Sequence, residues 1–241
     1  MRRSLALCVV FYASAVLTAA ADVAIIPCVR DNTLFEDSEG DTSSGAGPAL
    51  FAGRNNQGRT RRALVAFDLV GAVPAEARID SVVLTLCVSN APDSTARGFS
   101  LHRALRDWGE GRSSSSGGAG APATEGDATW LHAFYPLMLW AERGGDFDPA
   151  PGATQMCGAI GTCAWSGPGL AADVAVWVSN PADNHGWLLR GDEGGSQTVR
   201  RFDSREASMS VNRPTLTIHY SHLDPVASSR QTWGGLKAFY R

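Results

Sequence analysis

Lysine is almost missing from this chain. Lys237 is the single example, and every other basic side chain is arginine. A GC-rich coding sequence is the plain cause, but the physical consequence stands: arginine forks grip carboxylates and sulfates bidentately, which lysine cannot do. A basic excess is missing too. The formal charge is −3, which argues against a nucleic-acid partner. No C-x-x-C pair occurs, so a zinc site has no support. No nucleophile elbow, H-E-x-x-H pair or phosphate-cradling glycine loop is present. His102, His132, His185, His219 and His222 are scattered, and "SHLD" at 221–224 packs its serine, histidine and aspartate too closely in sequence to form one triad. No repeat of fixed period and no βαβ rhythm is visible. Beyond the N-terminus no apolar run is long enough to cross a bilayer, so no transmembrane span is expected in the mature chain.

The N-terminus has what the rest lacks. "MRR" is a short basic start, "SLALCVVFYASAVL" is apolar, and "TAAA" supplies small residues before Asp22. That layout predicts a secretory signal peptide over 1–21, with a retained anchor as the alternative. The mature protein is then expected to be secreted or held at the cell surface. Four cysteines would remain: Cys28, Cys87, Cys157 and Cys163. An even number in an exported chain suggests disulfides. Cys157 and Cys163 flank the short loop "GAIGT" and are the expected pair, with a local role. Cys28 and Cys87 lie in strand-like runs and either pair across a sheet or stay reduced.

The expected architecture is all-β. "DVAIIPCVR" reads as a strand confined to an edge or bulge by its proline. "ALFAGR", "RRALVAFDL", "RIDSVVLTLCVSN", "GFSLHRAL", "HGWLLRG", "TVRRFDS" and "RPTLTIHY" read as further strands. "DNTLFEDSEGDTSSGAGP" reads as a polar loop, and residues 111–127 as a flexible low-complexity loop. "LAADVAVWVSN" reads as one short helix ended by Asn180-Pro181. Short strands separated by turns point to a sandwich with long loops, over residues 22–220, followed by a tail at 221–241.

Candidate binding residues cluster in "GRNNQGRTRR". Arg54, Arg59, Arg61 and Arg62 surround a glycine-containing turn, with Asn55, Asn56 and Gln57 as amide donors and acceptors suited to hydroxyls. Arginine with amide suits an acidic glycan, although a solvated loop would look the same. Five of the seven tryptophans fall between Trp130 and Trp187. Trp177 and Trp187 sit in apolar runs and read as core. Trp140, in "PLMLWAERGG", reads as an exposed stacking face. Asp31, Glu36, Asp37, Glu39 and Asp41 crowd one stretch that would suit a structural calcium, without an EF-hand pattern. No other cofactor is expected, and no catalytic residues are assigned.

Taken in order, "DNTLFED", "SSGAGPALFAG", "RRALVAFDL", "VPAEARIDSVVLTL", "LHRALRDWGEG", "GDATW", "GGDFD", "DVAVWVSNPADNHGWLL", "RFDSRE" and "RPTLTIHY" resemble the DNRLRE domain, also classed as family 96 of carbohydrate-binding modules. The likeness runs from about Asp22 to Tyr220. It implies a jelly-roll-like β-sandwich of exported proteins, and in some members a binder of acidic polysaccharides such as polyuronates. It also implies that "F-x-S-R-E" is structural: Arg205 and Glu206 are expected as a partly buried charge pair, with Glu206 or Asp203 partnering the guanidinium. The expected function is therefore an exported, non-catalytic carbohydrate-binding module. The alternatives are an adhesive cell-surface sandwich without sugar affinity and, third, a polysaccharide lyase or glycosidase.

Overall fold

A computed structural model describes residues 21–222. The expected signal peptide and the C-terminal tail lie outside the described residues, apart from Ala21, Ser221 and His222. In chain order the strands are β1 (Ala21–Phe35), β2 (Thr42–Ser43), β3 (Ala49–Arg54), β4 (Thr60–Phe67), β5 (Arg78–Asn90), β6 (Arg97–Arg103) and β7 (Ala121–Pro122). They continue with β8 (His132–Phe134), β9 (Met138–Leu139), β10 (Ala153–Cys157), β11 (Gly161–Ser166), β12 (Trp187–Arg190), β13 (Arg200–Asp203) and β14 (Thr215–Ser221). One α-helix, α1 (Pro168–Ser179), precedes β12.

All pairings among the main strands are antiparallel, and they build an all-β sandwich. In one face β14 joins the first half of β1 to β5, β13 joins β5 to β3, and β11 lies on β5. In the other, the order is the second half of β1, then β4, β12, β6 and β10. Strand β1 serves both. It pairs with β14 from Ala21 to Pro27 and with β4 from Cys28 to Phe35, with a register shift just after the change of partner. Pro27, which has no amide hydrogen to offer, sits at that change, where proline is tolerated.

Period-2 alternation explains the core. Val82, Leu84, Leu86 and Val88 of β5 point inward, and Phe99, Leu101, Leu189, Phe202, Leu216 and Ile218 meet them. β4 is different, because both of its faces are covered. Ala63, Val65 and Phe67 enter the main core, while Leu64 and Ala66 join a second cluster with Leu34, Leu188, Trp108, Trp130 and Trp140. The irregular segment after β6 supplies those tryptophans. It carries little regular structure, yet it buries the outer side of this sheet. Helix α1 starts with Pro168 in its first turn and buries Leu170, Val174 and Trp177 at helical spacing. Trp177 packs on Trp187 with ring centroids 4.5 Å apart.

Several expectations need correction. Residues 31–35 are not loop but the buried end of β1, where Asp31, Asn32 and Thr33 are each 0% exposed. Their polarity made the segment look like a turn. Most of these polar groups find partners inside, Asp31 Oδ1 being the exception: Asn32 Nδ2 donates to the carbonyls of Glu110 and Ala128 at 3.0 and 3.3 Å. The serine-glycine stretch at 111–127 is tied down as well. Ser113 is buried, Ala46 N–H donates to its carbonyl, and Ser44 and Ser115 exchange hydrogen bonds at 3.1 Å. His102, on a strand where a solvent-facing ring is ordinary, is buried between Ser100 Oγ and the Asp148 carbonyl, each 2.8 Å away.

The Cys157–Cys163 disulfide forms, while Cys28 and Cys87 remain free thiols. Its setting is less local than expected. Cys157 ends β10 in one sheet and Cys163 lies in β11 of the other. Both are buried, so the bridge joins the two sheets at their margin. Among the described residues no helix is long and apolar enough to cross a membrane. Replacing both cysteines by serine should lower the unfolding free energy by about 2 kcal/mol, the chain-entropy value for so short a loop. Urea titration of the oxidised protein against the double variant checks this.

Candidate functional site

The turn between β3 and β4 projects over a cleft. Asn55 shapes it: its Oδ1 accepts the amide hydrogens of Gln57 and Arg59, both at 2.9 Å. Gly58 follows at φ 74, a left-handed conformation that glycine adopts without strain. Across from the turn lie the loop Ser116–Ala119 and the turn Asn90–Pro92 that ends β5. The inner part of the cleft holds about 360 Å³ over an apolar floor of Phe51 and Val199, with Asn90 and Arg201 at its wall. The outer part holds about 370 Å³ and is lined by Asn56, Gln57 and Arg59. Asn55, Arg61 and Gly118 line both.

Arg61 is the central group. It is 5% exposed, its guanidinium lies 4.9 Å from the centroid of the Phe35 ring, and it donates to the carbonyls of Thr60 and Gly118 at 2.8 and 3.2 Å. Among the described residues no carboxylate lies within ion-pairing distance of Arg54, Arg59 or Arg61. Burial first, and then the neighbouring Arg59 charge, push the Arg61 guanidinium down to about 10, against the weaker pull of Asp37 and Glu36, which lie beyond ion-pairing distance. It is still fully charged at neutral pH. The cleft therefore holds two cations that lack a carboxylate partner, and an anion entering it would relieve both.

The structure redistributes the residues expected to bind. Asn55, Asn56, Arg59 and Arg61 line the cleft. Arg54 does not: its Nε donates to the Gly58 carbonyl at 2.7 Å and its Nη1 to the Glu193 carbonyl at 3.3 Å, so it holds the turn from behind. Trp140 is not a stacking face. It is 6% exposed, inside the second cluster, with its indole N–H donating to the Thr129 carbonyl at 2.9 Å. The glycines and prolines around it marked an irregular chain path, and irregular chain is not the same as exposed chain. Arg62 is spent in a clamp, with Glu193 2.8 Å away and Arg190 on the same carboxylate. Arg201 and Asn90 were not anticipated. Strand alternation was the signal: Arg200 is 0% exposed and bound to Asp93, Thr95 and Gly158, so Arg201 must face the other way.

Arg205 is structural, but its main partner differs from expectation. Its Nε and Nη2 grip Glu110 at 2.6 and 2.7 Å, and Glu206 lies 2.9 Å from Nε. Asp203 instead pairs with Arg201. Glu110 sits in "DWGEG", far away in sequence, and nothing local linked it to "SRE". Of the acidic residues considered for calcium, only Asp31 joins a carboxylate group in space, with Glu110 and Glu206.

Glu193 supports the β3–β4 turn through Arg62, Arg190 and its own carbonyl. Burial opposes its charge, but the hydrogen bonds from Arg62 and Arg190 outweigh it and hold the carboxyl below the usual range. A depressed carboxyl adds stability above its unfolded pKa and loses it as pH falls through the folded one. Glu193→Gln should therefore cost roughly 2 kcal/mol at pH 7, and the gap from the wild type should close below about pH 4. Thermal unfolding across pH reads this out. Trp140→Phe should cost about 1 kcal/mol through the lost indole hydrogen bond and leave the cleft intact.

No family model matches the chain, and no match is found among curated proteins.

Proposed function

We propose that this protein is an exported, non-catalytic module that binds an acidic polysaccharide of the polyuronate class in the cleft beneath the β3–β4 turn. The observation that carries the reading is the pair Arg59 and Arg61, charged, facing a cleft, and without a carboxylate partner. Arg61 is buried, and a buried cation normally acquires a partner in the fold; an anionic ligand would supply it here, with the exposed Arg59 beside it. The amides of Asn55, Asn56, Gln57 and Asn90 suit hydroxyls, and the Phe51–Val199 floor offers an apolar surface to a sugar ring. The sandwich architecture and the motif order agree with a DNRLRE-type module, which we carry as part of this proposal.

A second reading, an adhesive surface protein, draws on the hairpin of β8 and β9. Leu137 and Leu139 there are 84% and 58% exposed, an apolar tip that a partner protein would cover. A glycan array with the mature protein separates the two readings. Incubation with polyuronates, monitored for unsaturated products, tests the enzymatic alternative.

Arg59→Ala should weaken polyuronate affinity about tenfold, the worth of one charge-assisted hydrogen bond. Its melting temperature should stay unchanged, because the side chain is exposed. Wild-type affinity should fall as sodium chloride rises, and a neutral glycan should not compete. Equal affinity for neutral and acidic chains would overturn the assignment. By contrast, Arg54→Ala should loosen the turn and reduce stability.

A further inference from the structure

Three carboxylates meet around Arg205 with too little positive charge among them. One oxygen each from Asp31, Glu110 and Glu206 lies within 4.8 Å of the others. Arg205 ion-pairs with Glu110 and Glu206, so one guanidinium faces three carboxyl groups. Arg30, next to Asp31 in sequence, is spent on Asp107 and the Trp108 carbonyl. Asp31 has no recourse to water, since it is 0% exposed. Its Oδ2 accepts the Arg205 amide hydrogen at 2.8 Å, and its Oδ1 is buried with no hydrogen-bond partner among the described residues. A buried carboxylate oxygen left bare is costly.

We propose that Asp31, Glu110 and Glu206 form a site for a hard divalent cation of the calcium class. Calcium–oxygen bonds are about 2.3–2.6 Å long, so oxygens around one ion lie at most about 5 Å apart. The observed spacing fits that limit. The donors are all carboxylate oxygens. Cys28 Sγ lies 3.9 Å from Asp31 Oδ2 and is placed as a thiol donor to it and to the Arg30 carbonyl, so the site offers hard oxygen ligands and no thiolate. The Glu110 and Glu206 side chains keep 18% and 24% exposure, so water can reach the ion and complete its shell. The three donors come from β1, the segment after β6 and the turn after β13. An adaptable shell of this kind suits calcium better than the strict octahedron of magnesium. The ion would tie together the same three segments that Arg205 ties, and its charge would favour the ionised form of all three carboxyls. The site is separate from the arginine cleft, so its test does not depend on glycan binding.

The test uses the full mature chain stripped with chelator. Calcium chloride added to about 10 mM, well above the dissociation constants usual for extracellular modules, should raise the melting temperature by several degrees. Terbium should bind at the same place and luminesce by energy transfer from tryptophan, and calcium should quench the signal by displacement. Glu206→Gln should weaken calcium at least tenfold, and Asp31→Asn should abolish the shift. Glu39→Gln, in the exposed acidic loop, should leave the shift unchanged. Should Asp31→Asn fail to fold, Glu206→Gln decides alone. The proposal is overturned if calcium leaves the wild type unchanged. It is equally overturned if Glu206→Gln responds as the wild type does, or if Glu39→Gln is the variant that loses the response.

Discussion

The grip of Arg205 on Glu110 holds one end of this sandwich together. The guanidinium makes two hydrogen bonds to Glu110 and reaches Glu206, while the backbone N–H of the same residue donates to Asp31. Three stretches far apart in the chain are thereby fixed: the end of β1, the segment after β6 and the turn after β13. Around this point the chain is crowded enough that a Cβ on Gly45 would fall 1.7 Å from the Glu110 carbonyl oxygen, so only glycine passes. Ser204, beside Arg205, is buried and donates to the Gly47 carbonyl at 2.7 Å. "SRE" is thus a joint, and its chemistry is that of charge held at low solvent access.

The segment after β6 depends on that joint. It leaves the sheet through Trp108 and Glu110, crosses the outer side of the second sheet, and buries Trp130 and Trp140 on Leu34, Leu64 and Leu188. Because it covers β4 from outside, β4 can be apolar on both sides, as parallel-sheet strands usually are. Between Glu110 and Trp130 its serine-glycine portion passes beside the β3–β4 turn. There Gly118 accepts a hydrogen bond from Arg61 and closes one wall of the cleft. The cleft is therefore made by a covering segment laid against a hairpin, and the partnerless arginines sit at the seam between them.

Arginine in this chain works in two ways, and the difference is which partner burial provides. Arg62, Arg190, Arg200 and Arg205 have carboxylates within reach and serve the fold. Arg59 and Arg61 have none, and Arg61 rests on an aromatic ring and two carbonyls instead. The four arginines of "GRNNQGRTRR" are chemically identical in the sequence. Only their surroundings sort Arg54 and Arg62 into the frame and Arg59 and Arg61 into the cleft.

The sequence by itself marked eight of the strands, the helix and the expected disulfide pair, while β2, β7, β8, β9, β10 and β11 were not legible in it. Alternation in "RIDSVVLTLCVSN", helical spacing ended by Asn180-Pro181, and two cysteines across a short loop are local patterns, written within one element. It also marked the β3–β4 turn as the place where arginine and amide gather. What only the tertiary structure decided is who meets whom. Glu110 reaches Arg205 across 95 residues, Asp31 is buried although its neighbours are polar, Trp140 is enclosed although its surroundings are rich in glycine and proline, and Arg201 turns toward the cleft. Periodicity reports which side of an element is apolar. It carries no record of the charge or the cover that a distant segment brings to that side, and burial and pairing are properties of that meeting.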